Sequence, residues 1–148
     1  MPYLKITHIN HFEAINWLKF NKQGDAWYEN FTKKHLLHFS KIWPQLKKFY
    51  RGKDNWLAAY IDTKIAGVYY YTIVENEIYD GYLTTDKQFS QFNLGLKLNT
   101  KLLEETKNKW SINWSLCFEK YLTYNEKLGF KIDSKTVFNK QTIYLLKR

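Results

Sequence analysis

The run Ser90-Gln91-Phe92-Asn93-Leu94-Gly95-Leu96 has the residue types of a polar turn opening a helix whose first turn carries little but backbone. Unpaired N–H groups and the positive end of the helix dipole converge at such a position, which suits a phosphate. Leu83-Thr84-Thr85, just before it, closes a strand that also carries two carboxylates, Glu77 and Asp80. Burial between strands would raise a carboxyl's pKa, as a proton acceptor at neutral pH needs. The two stand three apart on a strand and therefore face opposite sides, so at most one can serve a given site. Glu77 reads equally well as a surface residue beside a turn. Downstream, Tyr121, Tyr124 and Asn125 fall in a helix that stops at Gly129-Phe130. Tyr121 lies one turn before Asn125 and shares its face, whereas Tyr124 is rotated by about 100°. Aromatic core packing is the competing account of both tyrosines.

The periodicity around these residues predicts the elements that must position them. Tyr3–Thr7 alternates as an opening strand, and His8–Lys22 reads as a short helix with Phe12, Ile15 and Trp17 or Leu18 on one side. Gln23-Gly24-Asp25 breaks it, with Asp25 placed to cap the next helix. That helix carries Tyr28, Phe31, Leu36, Phe39, Ile42 and Leu46 near a 3.6 period, and Pro44 should break or kink it at Trp43. Phe49–Gly52 ends this helical part. Asn55–Asp62, Ile65–Val74 and Glu77–Thr84 are strands joined by the tight turns Asp62-Thr63-Lys64 and Glu75-Asn76, a meander. Asn93–Lys109 is helical, with Leu94, Leu98, Leu102 and Thr106 four apart. Trp110–Phe118 is a strand, Glu119–Leu128 a helix, and Phe130–Ile132 and Thr142–Lys147 are closing strands.

Composition bounds the rest. The chain has 148 residues, 45% hydrophobic and 19% aromatic, enough for one packed domain. No apolar run approaches the roughly 18 residues of a membrane span, and Met1–Ile6 lacks the charge and apolar pattern of a secretory leader. A cytoplasmic location is the default expectation. Net charge is +9, and from Asn30 to Lys53 there is no acidic residue while Lys33, Lys34, Lys41, Lys47, Lys48, Arg51 and Lys53 accumulate. Such a stretch attracts polyanions or phosphorylated molecules, or is simply a solvated helix face. The single cysteine, Cys117, excludes an internal disulfide and a thiolate zinc cage, and no activator is evident for it as a nucleophile. His8 with His11, and His35 with His38, have helical spacing but no accompanying carboxylate pair, so no metal is expected. Trp27, Trp43, Trp56, Trp110 and Trp114 fall at apolar positions and read as core.

The order strand, anion-cradling turn, helix, strand, helix, Gly-Phe, strand resembles the GCN5-related N-acetyltransferases, the GNAT superfamily, from about Asn55 to the end. The family writes the turn as Arg/Gln-x-x-Gly-x-Gly/Ala. Here Ser90 stands at the first position, Asn93 at the first glycine and Gly95 at the second, with Phe89 at the aromatic position before them. Only Gly95 matches, although Asn adopts left-handed backbone geometry more readily than most residues.

The resemblance implies an α+β fold: a mixed, mostly antiparallel sheet splayed between two central strands and flanked by about four helices. It implies one domain over 1–148, with 1–54 supplying a strand and acceptor-side helices and 55–148 the sheet and the acyl-CoA-binding core. The implied cofactor is acetyl-CoA or another acyl-CoA, lying in the splay. Leu83, Thr84 and Thr85 would meet the pantetheine, and Ser90, Gln91, Phe92, Asn93, Leu94, Gly95 and Leu96 the diphosphate. Glu77 or Asp80 would be the base. The family's leaving-group acid, Tyr-x-x-x-Gly-Phe, falls on Asn125, so Tyr121 substitutes, or Asn125 itself donates to the sulfur, or transfer has been lost. The implied activity is N-acetyl transfer to an amine. The basic stretch suggests an anionic acceptor: tRNA-linked, a nucleobase, an acidic protein or a phosphorylated metabolite. A homodimer is compatible with this reading. The alternatives are a non-catalytic binding module on the same fold, or a relative of phage enzymes that modify nucleobases.

Overall fold

The computed structural model describes residues 2–21 and 33–148, with backbone alone at 21 and 33–35. The expected break at Gln23–Asp25, the Asp25 cap, and Trp27, Tyr28 and Phe31 lie outside the described residues. Among the described residues seven strands form one sheet in the order β1-β2-β3-β4-β5-β7-β6. They are β1 (Leu4–Ile9), β2 (Asn55–Ile61), β3 (Lys64–Val74), β4 (Glu77–Thr85), β5 (Ile112–Phe118), β6 (Lys131–Phe138) and β7 (Gln141–Lys147). Every neighbouring pair is antiparallel except β4 and β5, which run parallel. The helices are α1 (His11–Asn21), α2 (Lys33–Phe39), α3 (Leu94–Glu105) and α4 (Leu122–Lys127), and 3-10 segments span Pro44–Arg51, Lys87–Phe92 and Glu119–Tyr121. This is the α+β, mostly antiparallel architecture anticipated above.

Alternation along the strands divides the core between the two faces of the sheet. On one face Trp17, Leu36, Phe39, Leu46, Phe49, Trp56, Tyr70, Tyr79 and Trp114 pack beneath α1, α2 and the Pro44–Arg51 segment. On the other, Leu57, Tyr69, Ile78, Leu94, Leu98 and Leu102 pack beneath α3, and Cys117, Phe130, Tyr144 and Leu146 form a smaller cluster with Leu122 and Leu128. Trp43, Trp56 and Trp114 are buried, as core packing requires.

Several boundaries differ from the sequence expectation. The helix expected from His8 begins only at His11, because β1 runs on through His8 and Ile9 in register with Leu57 and Trp56 of β2. The last hairpin is much longer than Phe130–Ile132 suggests. Asn139 and Lys140 both take positive φ (50° and 64°), the geometry that joins two tightly paired strands, without the glycine that usually announces it. Helix α3 stops at Glu105 instead of Lys109, because Thr106 Oγ1 donates to the Leu102 carbonyl (2.7 Å) and Asn108 turns left-handed. Strand β5 accordingly begins at Ile112. The Pro44 break occurs as expected: Trp43 is non-helical (φ −122°, ψ 88°) and the proline opens a new 3-10 segment, where its missing N–H costs nothing.

Candidate active site

Strands β4 and β5 are paired over only four positions, from Glu77↔Ile112 to Asp80↔Ser115. Beyond that point Gly81–Thr85 of β4 and Leu116–Phe118 of β5 part company, while β4 stays paired with β3 through Thr85 and β5 with β7 through Phe118. A cavity of about 570 Å³ occupies the divergence. Residues of both strands, Gly81–Thr85 of β4 and Leu116–Phe118 of β5, line it. Leu83, Thr84 and Thr85 line the β4 side.

The turn leading to α3 forms the mouth. Asp86 begins it, its carboxylate accepting from the Gln88 N–H (3.1 Å). Asn93 ends it in the left-handed region (φ 54°, ψ 47°), closing the 3-10 segment and opening α3. The asparagine at the first glycine position thus holds the conformation for which a glycine would be chosen. Ser90, Asn93, Leu94 and Gly95 line the cavity together with Lys87 and Lys120. Gln91 is exposed, Leu96 is 45% exposed, and Phe92 packs with Phe89 on the α3 core, so these three lie outside the lining. The two lysines were missed in the sequence. Lys87 stands three residues before Ser90 within the same turn, a spacing that could have drawn notice.

Tyr121, Tyr124 and Asn125 all line the cavity from the α4 side. Asn125 Nδ2 donates to the Tyr121 carbonyl (2.9 Å), and the Tyr121 ring packs under Lys120. Tyr124 is 39% exposed, and the partial burial it does have raises its pKa and keeps the phenol protonated at neutral pH. Its hydroxyl reaches across to the first turn of α3. A Cβ added at Gly95 would collide with that oxygen, whereas the ring carbon Cζ would lie at an ordinary 3.4 Å. Gly95 therefore makes room for Tyr124 in this chain. Alanine in a helix is normally favoured over glycine by up to about 1 kcal/mol. We expect Gly95→Ala to lose that gain in the native background and to recover it in Tyr124→Phe. The coupling, read from urea unfolding of the four-protein cycle, should be about 1 kcal/mol or more, and additive effects would refute the contact.

The two carboxylates occupy opposite faces, as their spacing requires. Glu77 accepts from Lys48 Nζ and from Trp114 Nε1 (2.7 Å) on the α2 face, outside the cavity lining. Burial raises its pKa, but the hydrogen bonds from Lys48 and Trp114 and the Lys48 charge outweigh that and hold it below the ordinary value. Asp80 is 3% exposed and forms part of the cavity's closed end. Tyr69 Oη and Asn113 Nδ2 donate to its carboxylate, and Ser115 Oγ donates to its carbonyl (2.7 Å). Burial pushes its pKa up to about 6, against the opposing influence of Arg148 and of the two donors. Behind this group, Arg148 donates to Asn113 Oδ1 (2.7 Å), to the Leu128 carbonyl (2.8 Å) and to Asn99 Oδ1 (2.8 Å), with its guanidinium 4.1 Å from the Phe130 ring centre. One side chain thus joins β5, α3 and the end of α4. Asn113 and Arg148 are 35 residues apart, and no local pattern announces their pairing.

The residues set aside in the sequence are placed as follows. Cys117 lines the cavity but is buried, and burial pushes its thiol up to about 12, which leaves almost no thiolate. His8 contacts Glu105 and His11 lies 3.7 Å from Asp54. Among the described residues no three His, Cys, Asp or Glu side chains gather as a metal site.

A sheet parted between two parallel central strands, with a helix N-terminus at the mouth of the gap, is the GNAT fold, and this chain has it. Solved structures agree over nearly the whole length. The ribosomal-protein-S18-alanine N-acetyltransferase of Escherichia coli is 13% identical with a TM-score of 0.70, covering 98% of this chain and 92% of that one. The PaiA N-acetyltransferase of Thermoplasma acidophilum, solved in complex with coenzyme A, is 11% identical with a TM-score of 0.68, covering 99% and 98%. A GNAT family acetyltransferase of Elizabethkingia anophelis with acetyl-CoA bound is 14% identical with a TM-score of 0.62, covering 97% and 96%. No family model and no curated protein matches the sequence.

Proposed function

We propose that the protein is an acyl-CoA-dependent N-acyltransferase that moves an acetyl group from acetyl-CoA to an amine. The observation that carries this reading is the cavity between the parted ends of β4 and β5, opening at the Asn93–Gly95 turn. Its chemistry suits the cofactor along its length. The α3 N-terminus with Lys87 and Lys120 offers N–H groups and positive charge to a diphosphate. The parted edge of β4 offers backbone partners to pantetheine amides at Leu83–Thr85. The lysines stand in for the Arg/Gln side chain that Ser90 cannot replace.

Transfer requires a neutral amine to attack the thioester carbonyl carbon. The nitrogen then gives up a proton to a base or to water, the C–S bond breaks to leave the amide, and the departing thiolate takes a proton. We assign that last step to Tyr124, whose phenol faces the cavity and stays protonated. Asn125 has its side-chain N–H committed to Tyr121, and Tyr121 lies under Lys120. Of the two carboxylates, Asp80 is at the reacting end, whereas Glu77 is held by Lys48 and Trp114 elsewhere. The exposed Lys41, Lys47, Arg51 and Lys53 favour an anionic acceptor, one linked to nucleic acid or to an acidic protein.

Acetyl-CoA at 100 times its Kd should raise the unfolding free energy by about 2.7 kcal/mol, seen as a thermal shift. Absence of any shift at millimolar cofactor would overturn the reading. A shift without acetyl transfer from labelled donor to any amine tested would instead favour a binding module on the same fold.

A further inference from the structure

The cavity has a direction. Lys87 and Lys120 lie toward the mouth with the α3 N-terminus, whereas Asp80 lies at the end where the strands rejoin. From Thr85 to Gly81 the β4 edge runs four residues, roughly 13 Å, between these poles. Given the acyl-CoA reading above, on which this inference rests, the phosphates sit at the positive pole and the acyl group reaches the acidic one. We propose that Asp80 is a specificity-determining residue: its carboxylate excludes acyl groups that themselves end in a carboxylate, such as succinyl, and restricts the donor to uncharged acyl groups.

The geometry supports a fixed negative charge there. Asp80 is 3% exposed, its oxygens are aimed by Tyr69 and Asn113, and Ser115 ties its backbone to β5. A succinyl tail would bring a second carboxylate against it, and little water is available to screen the pair. Arg148 does not line the cavity; it sits behind Asn113, held by Asn99 and the Leu128 carbonyl. Neutralising Asp80 therefore removes the fixed negative charge from the closed end, while the Arg148 cation stays behind it. The other titratable groups near that end are Tyr69 from β3 and Cys117 from β5, and Tyr124 of α4, whose hydroxyl abuts Gly95, is close enough to act on Tyr69. Burial raises all three, so they stay protonated at pH 7.5 and below. Tyr79 projects to the opposite face, and Glu126 of α4 acts on Cys117. Asp80, which titrates near 6, changes charge between pH 7.5 and about pH 5.

Titration calorimetry with acetyl-CoA and succinyl-CoA tests this without knowledge of the acceptor. At pH 7.5 the protein should bind acetyl-CoA about tenfold or more tightly than succinyl-CoA. At about pH 5 that ratio should collapse toward one, and in Asp80→Asn it should be small and independent of pH. A ratio near one at pH 7.5, or a preference that survives unchanged at low pH and in the variant, overturns the assignment while leaving the acyl-CoA reading intact. Failure of both thioesters to bind overturns that reading and this one together. Should Asp80→Asn not fold, the pH dependence of the unaltered protein decides.

Discussion

Replacing Arg148 by alanine should lower the unfolding free energy by about 3 kcal/mol at pH 7.5, roughly 6–12 °C in Tm for a chain of this size. The effect is large because the guanidinium has several partners at once. Its loss leaves Asn113 Oδ1, Asn99 Oδ1 and the Leu128 carbonyl without their donor, and strips Phe130 of the cation stacked on it. It also removes the positive charge that opposes burial of the Asp80 carboxylate. Breaking a partly buried charged network such as this from one side costs more than the network contributes net, because the groups left behind keep their desolvation penalty. The deficit should shrink at pH 5, where Asp80 is largely protonated. Arg148→Lys, which keeps the charge but loses the planar fork, should fall between. An unchanged Tm for Arg148→Ala would show that the network contributes nothing.

Stability itself should rise as the pH is lowered from 7.5 to about 5. Asp80 titrates near 6 in the folded protein against 3.8 for the ordinary side chain, so between those values the native state binds more protons than the unfolded chain. The unfolding free energy therefore falls as pH rises through that window, by about 3 kcal/mol in all. Glu77 works in the opposite sense. Its folded pKa lies below 4.5, so its contribution is present above 4.5 and is lost as pH falls through the lower folded value. A maximum at about pH 4 follows, where the Asp80 gain and the Glu77 loss balance, measurable by urea unfolding at fixed ionic strength. Asp80→Asn should remove the rise on acidification from pH 7.5, and Glu77→Gln should soften the fall below pH 4.5. A profile flat from pH 5 to 7.5 would mean that Asp80 is hydrated in solution.

These expectations turn on residues of unequal visibility in the sequence. The left-handed Asn93, the Pro44 break, the Glu75-Asn76 turn and the opposed faces of Glu77 and Asp80 follow from local rules, since each depends on a few neighbouring backbone angles. The tight Asn139-Lys140 turn obeys the same rules but lacks a glycine, and the length of the last hairpin was underread for that reason.

Hydrophobic alternation, turn chemistry and helix-opening residues are properties of short windows, and they determined the order of elements, the sheet class and the turn at the cavity mouth. Only the tertiary structure decided which carboxylate lies in the cavity, that Lys87 and Lys120 face it, and that Gly95 accommodates Tyr124. It also decided that Arg148 braces the end where β4 and β5 rejoin. Those facts depend on contacts across tens of residues, set by where strands stop pairing, and no local pattern of residue types encodes that point.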